Sequence, residues 1–133
     1  MRVLIDSSVW IDFFRAADQP STRALEGLVS AGEDLCICGH ILSEVLRGTR
    51  HDEQYRKIER RFSVLQYLPM TQDTFRASAD IFRYLRCQGL TLKNPMDTYI
   101  AAVALEQDVW FLYDDRDFDL IGGEYPLKAF PKP

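Results

Sequence analysis

The sequence predicts an α/β domain: a parallel sheet covered by helices on both faces. Two patterns carry that expectation. Three short apolar runs, Val3-Leu4-Ile5, DLCIC (34–38) and DVWFLYD (108–114), are separated by longer stretches with apolar residues at helical spacing. Strands alternating with helices imply right-handed crossovers and hence parallel pairing. In such a sheet the functional crevice lies outside the carboxyl ends of the strands. A third pattern therefore matters most: acids cluster just after the strands.

Taken in order, RVLID (2–6) reads as a short buried strand bounded by Asp6. SSVWIDFFRAA (7–17) turns to helical spacing, with Val9, Phe13 and Phe14 offering an apolar face. Pro20-Ser21 opens a second helix running to about Ala31, and Gly32 closes it. DLCIC alternates only weakly, as a strand covered on both faces does. HILSEVLRG (40–48) follows as a helix with Ile41, Leu42, Val45 and Leu46 on one side and Gly48 as its stop. HDEQYRKIERRFSVLQ (51–66) reads as a charged amphipathic helix, and YLPM (67–70) as an edge-like strand interrupted by Pro69. TQDTFRASADIFRYLRCQG (71–89) is a long helix ending at Gly89. Asn94-Pro95 starts another that runs to about Glu106. DVWFLYD is the last strong strand. The tail reads as turn-rich, with a weak strand near Leu127 to Phe130.

The chain of 133 residues is one domain, residues 1–133, with a 47% hydrophobic and 27% charged composition ordinary for a globular protein. Its apolar stretches fall far short of the roughly 20 residues of a membrane span. Only Arg2 precedes the first apolar run, so the N-terminus reads as a strand and not as a signal peptide. Three cysteines without export signals point to reduced thiols in the cytoplasm. A net charge of −4 argues against non-specific coating of nucleic acid. It leaves room for a nucleic-acid enzyme, because a metal ion neutralises phosphate locally. The basic residues are mostly arginine, suited to bidentate phosphate contact.

Asp6 follows the first strand and Glu44 sits one turn into the helix after the second. Asp97 lies in the first turn of the Asn94-Pro95 helix, and Asp114, Asp115 and Asp117 follow the last strong strand. Singly, each has an ordinary structural role. Asp6 caps a helix, Asp97 complements a helix dipole, Glu44 is solvated and DDRDFD is a polar turn. Together they bring like charges to one end of the sheet, which is unfavourable without a cation. Mg²⁺ or Mn²⁺ fits a carboxylate set without His or Cys beside it. Carboxylates with metal-activated water suit attack on a phosphodiester.

In order along the chain, DSSVWIDFF, LSEVLRG, MDTYIAAVAL and LYDDRDFDLI resemble the motifs of the PIN domain, and most closely the toxin ribonucleases of VapBC toxin–antitoxin modules. The resemblance spans nearly the whole chain. It implies a three-layer α/β/α sandwich around the parallel sheet, a Mg²⁺- or Mn²⁺-dependent endoribonuclease, a cognate antitoxin and a homodimer. By position it implies catalytic roles for Asp6, Glu44, Asp97 and Asp115. Asp6, Asp97 and Asp115 would bind metal directly, with Asp117 assisting and Glu44 either binding the metal through water or orienting the attacking water. Ser7 would bond a neighbouring carboxylate, bond a phosphate or cap the helix. Arg116, inside the acidic motif, would contact RNA.

Other features weigh less. Cys36, Cys38 and His40 alternate along a strand-to-helix segment, but further zinc ligands at recognisable spacing are missing. Trp10, Phe13 and Phe14 read as core and dimer packing. Phe75, Phe82, Tyr84 and Leu85 read mainly as packing, with a dimer face or an antitoxin groove as the alternatives. A second function class is a PIN-type protein that binds RNA or regulates without turnover; intact acids count against it. A haloacid-dehalogenase-like phosphatase would want Asp-x-Asp after the first strand, where the chain has Asp6-Ser7-Ser8. A phospho-receiver would want a lone Asp after a middle strand and a late Lys.

Overall fold

The computed structural model describes all residues, 1–133. Five strands form one fully parallel sheet: β1 (Arg2–Ile5), β2 (Asp34–Cys38), β3 (Gln66–Leu68), β4 (Trp110–Leu112) and β5 (Lys128–Ala129), in the order β3-β2-β1-β4-β5. The chain steps outward from β1 to β3, crosses back, and steps out the other way through β4 and β5. Right-handed crossovers then put the helices of the first half on one face and those of the second half on the other. The packing agrees. Of helices α1 (Ser7–Phe14), α2 (Pro20–Ser30), α3 (Gly39–Leu46) and α4 (Asp52–Phe62), α1 packs on α2 and α3, and α3 packs on α4. Helices α5 (Gln72–Cys87), α6 (Asp97–Gln107) and α7 (Arg116–Glu124) form a second group. The result is the three-layer α/β/α sandwich.

The central strands are apolar because both faces are covered. Val3, Leu4, Ile5, Phe111 and Leu112 are wholly buried. On the second helical layer Ile100, Ala101 and Val103 of α6 close against Phe118 and Ile121 of α7. The small side chains of the Ala101-Ala102 stretch let α6 sit close to its neighbours. Gly32 and Gly89 stop α2 and α5 in left-handed conformations (φ 67° and 76°), where a Cβ would be strained.

Four readings differ from expectation. The charged helix ends at Phe62 and not at Gln66, because Gln66 joins β3 and pairs with Cys36 of β2. Pro69 falls just after β3 and does not interrupt it; lacking an N–H, proline cannot extend the ladder. Residues 94–96 are a turn, not the first helical turn, and α6 starts at Asp97. The turn is built from short-range bonds: Asp97 N donates to Asn94 O, Thr98 N to Pro95 O and Tyr99 N to Met96 O. Finally, the tail read as turn-rich contains α7. Asp115 caps it, accepting from Asp117 N at 2.9 Å, and Phe118 and Ile121, three apart, fill its buried face. The weak terminal strand is present as β5.

A site of carboxylates at the switch point

The strand order reverses at β1, which lies between β2 and β4. Ligand crevices of parallel sheets open at such a point, beyond the strand ends. The residue after β1 is Asp6, and its backbone N–H donates to Leu112 O at the end of β4. Both strand ends therefore deliver their acids side by side.

Asp97, Asp115 and Asp117 offer carboxylate oxygens that all lie within 4.8 Å of one another. Asp97 and Asp117 are buried, and Asp115 is half-buried. Asp117 is held from outside the group: Oδ2 accepts the backbone N–H of Asn94 at 2.9 Å. The bond ties the start of the 94–96 turn to the first turn of α7. Asp97 Oδ2 is buried without any hydrogen-bond partner. An orphaned carboxylate oxygen inside a protein is costly. Burial, then the charges of Asp115, Asp6 and Asp117, push the Asp97 carboxyl up to about 8. Without a cation, burial and like charge favour the protonated form of Asp97.

Asp6 is buried too, and burial raises its carboxyl to about 6 despite the hydrogen bonds from Ser8. Its Oδ2 accepts from Ser8 Oγ at 2.7 Å and from Ser8 N at 3.3 Å, so Asp6 does cap α1. It stands at the edge of the close trio, and its charge reaches both Asp97 and Glu44. Glu44 accepts a hydrogen bond from Ser7 Oγ at 3.1 Å. His40 Nε2 lies 3.4 Å from Glu44 Oε1 and makes no hydrogen bond, while Arg47 Nη2 lies 3.9 Å from Oε2. The structure thus divides the acids into a trio, Asp97, Asp115 and Asp117, and a flank, Asp6 and Glu44. Arg116 is exposed at the start of α7.

Asp114 points elsewhere. Ser21 Oγ on α2 donates to Oδ2, and Lys132 Nζ lies 3.3 Å from Oδ1. It ties the C-terminal tail to α2 and leaves the trio. Cys36, Cys38 and His40 form no ligand group; the only close group of three ligating side chains is the acidic one. Burial raises both thiols, which keeps them protonated. A cavity of about 580 Å³ lies at the opposite end of the sheet between Trp10, Phe13, Leu35 and Leu65 and holds none of these acids. Trp10, Phe13 and Phe14 pack with Phe62 in one aromatic cluster.

Sequence reasoning missed Asn94 and Ser8. Neither carries a chemical signal of its own: Asn94 acts through its backbone, and Ser8 through a cap two residues from Asp6. His40 was legible in principle, because it precedes Glu44 by one helical turn.

Asp115 has two roles that substitution can separate. Asp115→Asn keeps the α7 cap and removes the charge that presses most on Asp97, so the metal-free protein should be at least as stable as the wild type. Asp115→Ala should also lose the cap, at a cost of about 1 kcal/mol. Denaturant titration of the two variants measures the difference.

The arrangement defines a class: a doubly wound parallel α/β domain whose switch point gathers carboxylates from four chain segments. Comparison with known proteins names the family. The PIN domain matches residues 3–124. Over 129 residues, 96% of both chains, the protein is 32% identical to VapC ribonuclease Mb1587 of Mycobacterium bovis and to Ribonuclease VapC11 of Mycobacterium tuberculosis. The fold is shared with VapBC-1 from nontypeable Haemophilus influenzae (TM-score 0.74, 18% identity, covering 98% and 97% of the two chains). It is also shared with the DNA-bound VapBC from Salmonella typhimurium (TM-score 0.74, 19% identity, 98% and 97%). The chain belongs to the PIN-domain family, among its VapC-like members.

Proposed function

We propose that the protein is a divalent-metal-dependent endoribonuclease, the toxin of a type II toxin–antitoxin module. The observation that carries this is the buried, unpartnered Asp97 Oδ2, on a carboxylate that has an oxygen within 4.8 Å of oxygens of two further carboxylates. A hard cation gives that oxygen its missing partner and offsets the repulsion. The donor set, all carboxylate oxygen, fits Mg²⁺ or Mn²⁺. Asp97, Asp115 and Asp117 would hold the ion, with Asp6 adding a fourth charge. When bound, the ion supplies Lewis-acid polarisation of a phosphate oxygen and eases deprotonation of water.

The protein's own groups do the positioning. Asn94 N–H and the α7 cap fix two carboxylates on rigid elements. Ser7 orients Glu44, which faces the site as a hydrogen-bond acceptor for attacking water. Arg116 is assigned to the RNA backbone. The relatives named as ribonucleases, and the solved VapBC complexes, support the RNA substrate and the antitoxin partner. A homodimer and a cytoplasmic location complete the reading; no helix is long and apolar enough to cross a membrane.

Mapping RNA ends after controlled expression tests it. The wild type should generate new 5′ ends that the Asp97→Asn variant does not. Identical RNA ends from both would leave a binding or regulatory protein.

A further inference from the structure

His40 Nε2, like Asp97 Oδ2, is buried without a hydrogen-bond partner. His40 lies in the first turn of α3, and Glu44 follows it by one helical turn. Nε2 stands 3.4 Å from Glu44 Oε1, and the two side chains are only 15% and 17% exposed. A buried ring nitrogen that is left unpaired is costly, so the atom it faces matters.

Both partners are held by neighbours. Tyr99 of α6 meets the His40 ring edge-on at 5.5 Å, and Phe75 of α5 meets Tyr99 edge-on at 5.3 Å. Ser7 Oγ donates to Glu44 Oε1 at 3.1 Å, the same oxygen that His40 faces. Arg47 Nη2 is 3.9 Å from Oε2, and its side chain is 68% exposed. The restraints therefore converge on Oε1 and leave Oε2 as the open acceptor. A glutamate has several rotatable bonds, and it places a proton acceptor poorly unless its carboxylate is anchored.

We propose that His40 is a positioning residue for RNA cleavage: its Nε2–H, with the Ser7 hydroxyl, fixes Oε1 of Glu44 so that Oε2 accepts from the attacking water. The inference rests on the nuclease reading and adds the group that sets the orientation of Glu44. His40 acts through Glu44 and not on the RNA. Its loss therefore lowers turnover and leaves substrate binding alone. Side chains that orient a reacting group in this way typically cost about 10- to 100-fold in activity when removed.

Three substitutions separate the donor from the ring. His40→Gln loses the ring and keeps an N–H donor at the end of the same path of bonds as Nε2. His40→Asn carries its amide one bond short, near the place of Nδ1. His40→Phe keeps the edge-on contact with Tyr99 and loses the donor. With Mg²⁺ or Mn²⁺ and a labelled RNA, kcat should fall roughly 10- to 100-fold in His40→Phe and His40→Asn and stay near the wild-type value in His40→Gln. KM should hold in all three. A second arm needs neither metal nor RNA. The chain has two histidines, and His51→Gln leaves His40 as the single source of signal. In protein carrying nitrogen-15 histidine, kept alkaline enough for an imidazole to hold one proton, long-range proton–nitrogen correlation should place that proton on Nε2. Glu44→Gln should move the Nε2 resonance. A proton on Nδ1 would overturn the proposal. So would full turnover in His40→Phe with loss in His40→Gln, the pattern of a ring that only packs, or a raised KM with kcat unchanged. Wild-type protein that cleaves no RNA defeats the nuclease reading, and the resonance arm still decides whether His40 holds Glu44.

Discussion

Asp97→Asn should abolish RNA cleavage and at the same time make the metal-free protein more stable at neutral pH. The two effects share one cause. Asp97 is buried at the first residue of α6, with Oδ2 unpartnered and three like charges acting on it. Asparagine keeps the shape and removes the charge that the trio needs to attract a cation. Cleavage should fall by at least about a hundredfold, the scale of losing one electrostatic contributor to a phosphate transition state. The same substitution removes the cost of burying a carboxyl that must take up a proton on folding when no cation is present. A functional residue whose removal stabilises the fold marks a site maintained at the expense of stability. Parallel rate measurements and thermal melts check both halves.

The second large effect is on pH dependence. The Asp97 carboxyl is pushed up to about 8 and that of Asp6 to about 6, both from 3.8. In this window the folded protein binds protons that the unfolded chain has released. Stability of the metal-free protein therefore falls as pH rises from about 4 toward 8, by up to about 1.4 kcal/mol per pH unit for each proton retained. Above both values the loss is complete. Mg²⁺ or Mn²⁺ should reverse the trend, since it replaces the proton and binds more tightly as pH rises. The melting temperature of protein in chelator should drop between pH 5 and pH 8. With metal present it should hold, and Asp97→Asn should flatten the slope in chelator. A melting temperature independent of pH in chelator would show that burial and repulsion do not hold these carboxyls protonated in the folded state.

Much of the fold was legible because it rests on local pattern. The apolar runs Val3-Leu4-Ile5 and DLCIC are β1 and β2 nearly to the residue, and Gly32 and Gly89 end the helices they were expected to end. The failures have physical reasons. Leu65 lies three residues after Phe62, so helical spacing runs past the true end of α4. Pairing with β2, a contact far along the chain, takes Gln66 into β3. In α7 the glycines Gly122-Gly123 and the run of acids obscured a short helix whose only buried apolar residues are Phe118 and Ile121. At the site, the positions of the acids after the strands could be read from sequence. Which oxygens approach one another could not, because that depends on turn geometry. The 94–96 turn aims a backbone N–H at Asp117, and Ser8 draws Asp6 into its cap. The close trio therefore contains Asp117, which had been assigned a supporting part, and has Asp6 at its edge.

The central claim, that the switch-point carboxylates hold a divalent cation for RNA cleavage, is tested most directly with purified protein and 5′-labelled RNA. Wild type should cleave with Mg²⁺ or Mn²⁺, stop in chelator and resume when the metal is returned, while Asp97→Asn stays inactive throughout. Cleavage that persists in chelator, or that Asp97→Asn retains in full, would contradict it.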